Sequence, residues 1–218
     1  MYHSIWRHLS TFISILLHPL IIPTALFFIL YIYLPSLLSP WTPEGKQMII
    51  GLIFFATYLL PVLFVLIYLS LFTSQSQISF KDLLLKNNKD RFRPFLLVGF
   101  IYAFLGYLLN NQLRANFVIV GIISVMATTI ILCALISKVW KISIHAVGIS
   151  GLTAFLLFFN ERFADGALFY HVIASVLLSG FLLSARLYLN EHNILQVIGG
   201  WLIGLALTFG GIFYLFSF

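Results

Sequence analysis

The chain has 218 residues, of which 61% are hydrophobic and only 8% are charged, and Phe alone occurs 23 times. This composition excludes an ordinary soluble domain and is typical of a polytopic membrane protein. The net charge of +6 does not indicate nucleic-acid binding, because the basic residues are dispersed among short loops between apolar runs. The expected partners are the bilayer and a phosphate-bearing lipid. The single cysteine, Cys133, excludes an intrachain disulfide and a Cys-type structural zinc site.

Apolar windows long enough for membrane helices follow one another along the chain. About 20 apolar residues cross a ~30 Å hydrocarbon core as a helix. Seven windows of this kind lie at roughly 9–34, 48–72, 95–110, 117–137, 144–160, 167–185 and 196–217. The first is interpreted as a retained anchor. The third and fifth are short, which is compatible with tilted helices or a re-entrant hairpin.

The predicted fold class is therefore all-α: a polytopic transmembrane helix bundle of six or seven spans. A single domain, 1–218, is expected, because no repeat or domain boundary interrupts the pattern. Three prolines fall inside the windows, at Pro19, Pro23 and Pro61. Prolines in membrane spans are expected to kink helices more often than they end them.

Three short polar segments interrupt the apolar chain, at 86–94, 143–145 and 186–192. An ionisable side chain in hydrocarbon is disfavoured by roughly 2.5–3.5 kcal/mol on insertion scales, so a membrane protein keeps few without a use. The segments follow the second, fourth and sixth windows. Since each crossing changes sides, all three are predicted to emerge on one face of the membrane.

The first segment runs from Lys86 to Arg93-Pro94. Lys86 and Arg93 are seven residues apart, so a helix would place both cations on one side, where they can clamp a phosphate. Pro94 disfavours a helical conformation for Arg93 and is expected to fix the start of the next span. The alternative is a basic surface loop that contacts lipid phosphates.

The second segment, Ser143-Ile144-His145, precedes the fifth window. A helix that begins there would direct free backbone N–H groups at an anion. Ser143 is a candidate N-cap and phosphate donor, and His145 a candidate proton donor to a leaving oxygen. The alternative is a capping serine beside an interfacial histidine.

The third segment ends the sixth window at Arg186 and reaches His192. A histidine at this junction can reach a phosphorus atom held by the arginine. Gln196, four residues after His192, is close enough on a helix to contact its imidazole. Alternatively, Asn193 and Gln196 form a capping box, and the two roles of Gln196 are expected to compete.

Two further histidines, His18 and His171, fall in or near the windows. They raise the hypothesis of a small transporter with a proton or metal path. Without an intramembrane Asp or Glu to pair with them, both are interpreted as helix-packing residues.

Together the three segments resemble the motifs of the type-2 phosphatidic-acid phosphatase superfamily, the integral-membrane lipid phosphate phosphatases. The first motif, Lys, six residues, then Arg-Pro, matches 86–94 in full. The second keeps Ser143 and His145, with isoleucine at 142 and 144 for the family's proline and glycine. The third keeps Arg186 and His192, with Ala185 for serine and Gln196 for aspartate. The resemblance covers roughly 80–205, which would be a phosphatase-like core.

This resemblance implies roles for particular residues. His192 would be the nucleophile that forms a phospho-histidine, His145 the general acid, and Gln196 would stand at the orienting position. The cradle for the phosphoryl oxygens would consist of Lys86, Arg93, Ser143 and Arg186. No metal or other cofactor is implied. The substrate would be a lipid phosphomonoester or pyrophosphate: phosphatidic acid, phosphatidylglycerol phosphate, undecaprenyl pyrophosphate or a lipid A phosphate.

The departures from the motifs keep a second function open. Gln196 can orient a histidine but brings no negative charge, and Ile144 stands where glycine lets backbone approach the phosphate. The alternative is a catalytically silent relative that binds a phospholipid or isoprenoid phosphate, or acts as a scaffold. By this topology nine of the 12 basic residues lie on the side of the polar segments. The positive-inside rule places that side in the cytoplasm, whereas the resemblance favours the outer face of the cell (inner) membrane.

Overall fold

The computed structural model describes residues 2–72, 88–163 and 166–216, and these residues form helices and connections without a β-strand. The all-α prediction is confirmed. A short 3-10 turn at Pro35–Leu38 follows α2, and a π-helical turn at Phe55–Leu59 joins α3 to α4. The α-helices in the described ranges are α1 (Tyr2–Leu16), α2 (Ile22–Tyr33), α3 (Pro43–Phe54), α4 (Leu60–Phe72), α5 (Asn88–Asn111), α6 (Phe117–Ser137), α7 (Ile144–Arg162), α8 (Phe169–Tyr188) and α9 (Ile194–Phe216).

Within the described ranges, six helical segments are long and apolar enough to cross a membrane. The predicted polytopic membrane bundle is therefore confirmed, with six such segments. The windows that appeared short belong to full-length helices: α5 has 24 residues and α7 has 19. Asn111 is the last residue of α5, and its side-chain amide donates to the carbonyl of Tyr107. The segments are Pro43–Ile67, Phe92–Asn111, Phe117–Ser137, Ile144–Arg162, Phe169–Tyr188 and Ile194–Phe216.

The first predicted window, 9–34, is not one kinked helix. The chain leaves the helix after Leu16 and re-enters one at Ile22, so the expectation that Pro19 only kinks a span is wrong. Pro19 has no N–H for the preceding turn. The next amide, that of Leu20, donates to His18 Nδ1 at 3.3 Å rather than to a helical carbonyl. With 12 residues, α2 is about 18 Å long, too short to cross the hydrocarbon core.

Pro61, by contrast, lies in a helix that continues through it. Thr57 stands four residues earlier, where its carbonyl cannot receive a bond from the proline nitrogen. The chain widens there into the π-helical turn, and the hydroxyl of Tyr102 donates to the Thr57 carbonyl at 3.1 Å. Tyr102 is fully buried, so α5 supplies inside the bundle the hydrogen bond that the proline removes.

Helices α7 and α9 pack closely because glycines remove side chains between them. A Cβ on Gly204 would lie 2.5 Å from the carbonyl oxygen of Val147, and one on Gly200 would lie 2.9 Å from that of Ser143. No larger residue fits at either position without displacing backbone. This contact brings the start of α7 against the start of α9, where the second and third polar segments meet.

Candidate functional site

A cavity of about 250 Å³ opens between the helices, and its two ends differ in chemistry. At one end it is lined by His18, His145, Arg186 and His192. These residues lie at the ends of helices or in the connections between them. Deeper in the bundle the lining is mainly apolar, and includes Val62, Val98, Tyr102, Met126, Leu152 and Phe155. The helical path from His145 to Phe155 corresponds to a depth of about 15 Å.

Arg186 is held at the polar end by the way α8 terminates. Asn190 adopts a left-handed conformation with φ of 54°, which turns the chain toward α9. The turn brings the carboxylate of Glu191 to 3.9 Å from Arg186 Nη2, and both side chains are largely buried. Sequence reasoning did not place Glu191, because a helix terminus alone does not show which way its side chain points.

His192 and Gln196 are joined by a hydrogen bond at the start of α9. His192 Nδ1 lies 3.2 Å from Gln196 Oε1, and the Asn193 amide donates to the same oxygen at 3.2 Å. Asn193 Oδ1 in turn accepts from the Gln196 amide at 2.9 Å, which completes a capping box. The expectation that the two roles of Gln196 compete is wrong, because one carbonyl oxygen has two lone pairs and accepts both bonds.

This contact determines which nitrogen of His192 can act on a ligand. When Oε1 of the Gln196 amide faces Nδ1, it is an acceptor, so Nδ1 carries the proton. Nε2 is then the unprotonated nitrogen of the neutral ring. His192 is 8% exposed and lines the cavity, so this nitrogen belongs to a largely enclosed site.

The second polar segment is divided between the cavity and the bundle interior. Ser143 is the N-cap residue of α7, as predicted, but its side chain makes no capping bond. Its hydroxyl is buried without a hydrogen-bond partner among the described residues, and Ile144 and His145, rather than Ser143, line the cavity. The Ser143 amide donates to the Gln196 carbonyl at 3.4 Å, which ties the second segment to the third.

His145 is anchored to the end of α1. Its Nε2 lies 3.2 Å from the carbonyl oxygen of Ser14, in the last turn of α1, where helix carbonyls have no partner in their own helix. A carbonyl only accepts, so Nε2 carries the proton and donates. Nδ1 is then the nitrogen of His145 that can exchange a proton with a ligand.

His18 lies in the connection between α1 and α2 and lines the same cavity, so its interpretation as a helix-packing residue is wrong. Its ring meets that of His145 edge to face, with centroids 5.3 Å apart. Burial, and then the charge of Arg186, lower the pKa of His18 to about 4. His171 behaves as expected of a packing residue: its ring contacts that of Tyr33, 4.4 Å away, at the opposite end of α8.

The first polar segment contributes less to the cavity than predicted. Lys86 lies outside the described residues, so its pairing with Arg93 stays a prediction. Arg93 is exposed on α5 and does not line the cavity, whereas Pro94 does. Helix α5 begins at Asn88 and runs through Pro94, whereas its membrane-spanning segment begins close to the proline, at Phe92. Pro94 is the seventh residue of α5 and lies inside the helix, so its missing N–H removes one hydrogen bond of the helical ladder.

The groups that line the polar end favour negative charge. The cavity lining contains an arginine and three histidines but, in the described part of the chain, no carboxylate. Helices α7 and α9 both begin there, and their first N–H groups favour negative charge. No group of three or more His, Cys, Asp or Glu side chains among the described residues is arranged to hold a metal ion.

Comparison of the chain with protein-family models, with curated proteins and with solved structures finds no match in any of the three.

Proposed function

We propose that this protein is an integral-membrane phosphatase that removes a phosphoryl group from a lipid phosphate or pyrophosphate through a phospho-histidine. The observation that carries the proposal is the convergence of Arg186, His145 and His192 at the polar end of an otherwise apolar cavity. A site of this kind suits a charged head group together with the adjoining part of an acyl or isoprenoid tail. The same residues carry the resemblance to the type-2 phosphatidic-acid phosphatases.

Head-group binding depends on charge and on the helix termini. The planar guanidinium of Arg186 can donate two parallel hydrogen bonds to phosphoryl oxygens. Glu191 balances part of the arginine charge in the absence of ligand, which lowers the cost of burying it. Ser143, Arg93 and Lys86 belong to the cradle by resemblance, although the first lies behind the cavity wall and the second is exposed.

The chemical step uses the two histidines that are held in fixed tautomers. His192 Nε2 attacks phosphorus, so that a P–N bond forms as the P–O bond to the lipid breaks. His145, in its protonated form, gives a proton through Nδ1 to the departing oxygen. Water then attacks the phospho-histidine, the P–N bond breaks, and the proton lost by water returns to His145. Gln196 keeps His192 Nε2 unprotonated for attack, as the aspartate of the family motif would.

The test is phosphate release by purified, detergent-solubilised protein from phosphatidic acid, phosphatidylglycerol phosphate and undecaprenyl pyrophosphate, with a chelator present. His192→Ala is expected to abolish release from every substrate. His8→Ala is the matched control, because His8 is exposed on α1 and lies outside the cavity lining. Full release by His192→Ala would show that this histidine is not the nucleophile.

The second candidate is a lipid-phosphate-binding protein without turnover. Two observations favour it: Gln196 brings no charge to stabilise the His192 imidazolium, and the Ser143 hydroxyl is not among the groups that line the cavity. In that case the folded protein binds phosphatidic acid, Arg186→Gln abolishes binding, and no phosphate is released from any substrate in the panel. The membrane and the face on which either activity operates are proposed, on resemblance, to be the cell membrane and its outer side.

A further inference from the structure

His18 belongs to the polar end by position but to none of the three motif segments. It lies in the connection between α1 and α2, lines the cavity with Arg186 and His192, and contacts the His145 ring. His18 is placed at the cavity by the break between α1 and α2, because the chain leaves the helical path at residues 17–21. His18 lies outside any helix and faces the cavity, and a helix-packing role does not explain this position.

The proton of the His18 ring can be assigned from its backbone contact. The Leu20 amide donates to His18 Nδ1 at 3.3 Å, so Nδ1 is an acceptor and Nε2 carries the proton of the neutral ring. This is a local turn of the kind that Asn and Asp also form, with a side-chain acceptor receiving an N–H two residues later. Within the described residues, the Leu20 amide is the one hydrogen-bond partner of the His18 side chain. Its Nε2–H donor therefore has no partner among them.

A bound phosphoryl group would need a hydrogen-bond donor in addition to the other groups at the polar end. His145 already donates its Nε2–H to Ser14, and neutral His192 presents an electron pair rather than a proton. The positive charge of Arg186 is partly neutralised by the carboxylate of Glu191. A phosphoryl group has three oxygens that need donors once water is excluded.

We infer that His18 is a head-group-binding residue whose Nε2–H donates to a phosphoryl oxygen of the bound ligand. The inference rests on the proposed function in so far as that function identifies the ligand as a phosphate. It adds the α1–α2 connection to the site, a segment outside the region of resemblance. Lipid phosphate and free phosphate share the recognised chemistry, so both are used as probes.

The nitrogen assignment allows a test that separates binding from folding. The side-chain oxygen in His18→Asn can replace Nδ1 as acceptor for the Leu20 amide but removes the Nε2 donor. The longer side chain in His18→Gln loses the local turn but presents an N–H donor near the position of Nε2. His8→Asn, at the exposed histidine of α1, is the control. All three are made in a His192→Ala background, so that phosphatidic acid stays intact, and binding of phosphatidic acid and of inorganic phosphate is titrated in detergent.

The expected result is that His18→Asn weakens phosphatidic acid binding by about 10- to 100-fold, the usual range for one hydrogen bond to a charged group. His18→Gln binds within a few-fold of the parent, and the control binds as the parent does. A parallel loss of inorganic phosphate binding assigns the contact to the phosphate itself, whereas its retention assigns it to the oxygen that links phosphate to lipid. Any other pattern overturns the inference, above all normal binding by His18→Asn with weak binding by His18→Gln.

Failure of this inference is distinguishable from failure of the proposed function. In the wild-type background, release that depends on His192 but is unchanged in KM and kcat by His18→Asn leaves the phosphatase in place and removes His18 from the site. Release that persists in His192→Ala removes the proposed mechanism whatever His18 does.

Discussion

The polar end and the apolar body of the cavity are built from different parts of the helices. The polar end consists of helix termini and connections: the 17–21 turn, the start of α7, the end of α8 and the connection from α8 to α9. Two of its side chains are held by hydrogen bonds to backbone, His145 to Ser14 and His18 to Leu20. His192 and Arg186 contact the side chains of Gln196 and Glu191. The apolar body consists of helix interiors, where packing fixes most side chains and Tyr102 also donates to the Thr57 carbonyl.

The difference follows from the bilayer as a solvent. In hydrocarbon the backbone is satisfied only within helices, so free donors and sharp turns are available only at their ends. A ligand with a charged head and an apolar tail then finds each part of its chemistry at a different depth. Head-group affinity and tail preference should therefore respond to separate substitutions.

The largest effect is expected from Arg186→Gln, which removes the cation of the polar end. Loss of a bidentate contact to phosphate should reduce phosphate release by at least about 10²-fold. Arg162→Gln, at the exposed far end of α7, is the charge-matched control. An equal loss of release in both variants would mean that overall charge, rather than the polar end, supports activity.

A complication of Arg186→Gln is that it leaves the Glu191 carboxylate buried beside a neutral side chain. Breaking a buried pair in this way costs about 3–5 kcal/mol of folding free energy. The double variant Arg186→Gln/Glu191→Gln should recover thermal stability but not phosphate release. Recovery of both would assign Arg186 to folding alone.

A smaller effect is expected from Gln196→Met, which keeps the length of the side chain but cannot accept from His192 or Asn193. Loss of the tautomer that exposes Nε2 should reduce kcat by roughly 10²-fold, less than the ~10⁴-fold cost of the wrong tautomer in a serine-protease triad. Gln196→Glu keeps both acceptor contacts and adds the charge of the family motif, so kcat should be preserved or raised.

The matched control is Asn193→Ala, which removes only the capping bond to the Gln196 amide. It should lower stability by about 0.5–2 kcal/mol and leave kcat nearly unchanged. If Asn193→Ala and Gln196→Met reduce kcat equally, the effect comes from the cap, and the orienting role of Gln196 is wrong.

The sequence predicts the bundle and the meeting of the polar segments better than it predicts their contacts. Long apolar windows locate the six spanning helices, because the bilayer leaves the chain few alternatives, but the first window, 9–34, is broken and does not span. The spacing of Gln196 from His192 predicts their contact, since a helix brings residues four apart together. That a single oxygen serves both His192 and Asn193 depends on side-chain rotamers, which spacing does not determine.

Tertiary contacts account for what the sequence does not predict. The break at Pro19 turns His18 toward the cavity, yet Pro61 leaves its helix continuous, because Tyr102 on another helix replaces the lost bond. Pro23, at the start of α2, follows Pro19 after three residues, whereas no second proline lies near Pro61. Arg93 matches a motif but is exposed on α5, which shows that motif spacing does not determine where a side chain points.

A substitution in the apolar body is expected to change the stability of the fold rather than the rate of phosphate release. Tyr102→Phe keeps the ring in the cavity wall but leaves the Thr57 carbonyl, behind Pro61, without its donor. An unsatisfied buried carbonyl costs about 1–3 kcal/mol, so thermal unfolding in detergent should occur at a lower temperature. KM for a short-chain phosphatidic acid should stay unchanged. A large change in KM would mean that the apolar body also affects head-group binding.

The smallest effect is expected from Gly151→Ala, which narrows the apolar body where α7 faces α9. The added Cβ would lie 3.1 Å from Thr208 Oγ1, and both residues line the cavity. Gly151 is about 9 Å along α7 from His145, so only a tail that reaches this depth meets the new methyl group. Excluding one methylene from apolar contact corresponds to about fourfold weaker binding.

The comparison is between dihexanoyl and dipalmitoyl phosphatidic acid, with Gly180→Ala as the control because a Cβ there meets nothing within 4 Å. For Gly151→Ala, KM should rise about fourfold for the long-chain lipid alone. An equal rise for both lipids would mean that the methyl group disturbs the head-group site through α7, and that the two ends are coupled. A rise confined to the long chain would place the lipid tail between α7 and α9, beneath a head group held by Arg186.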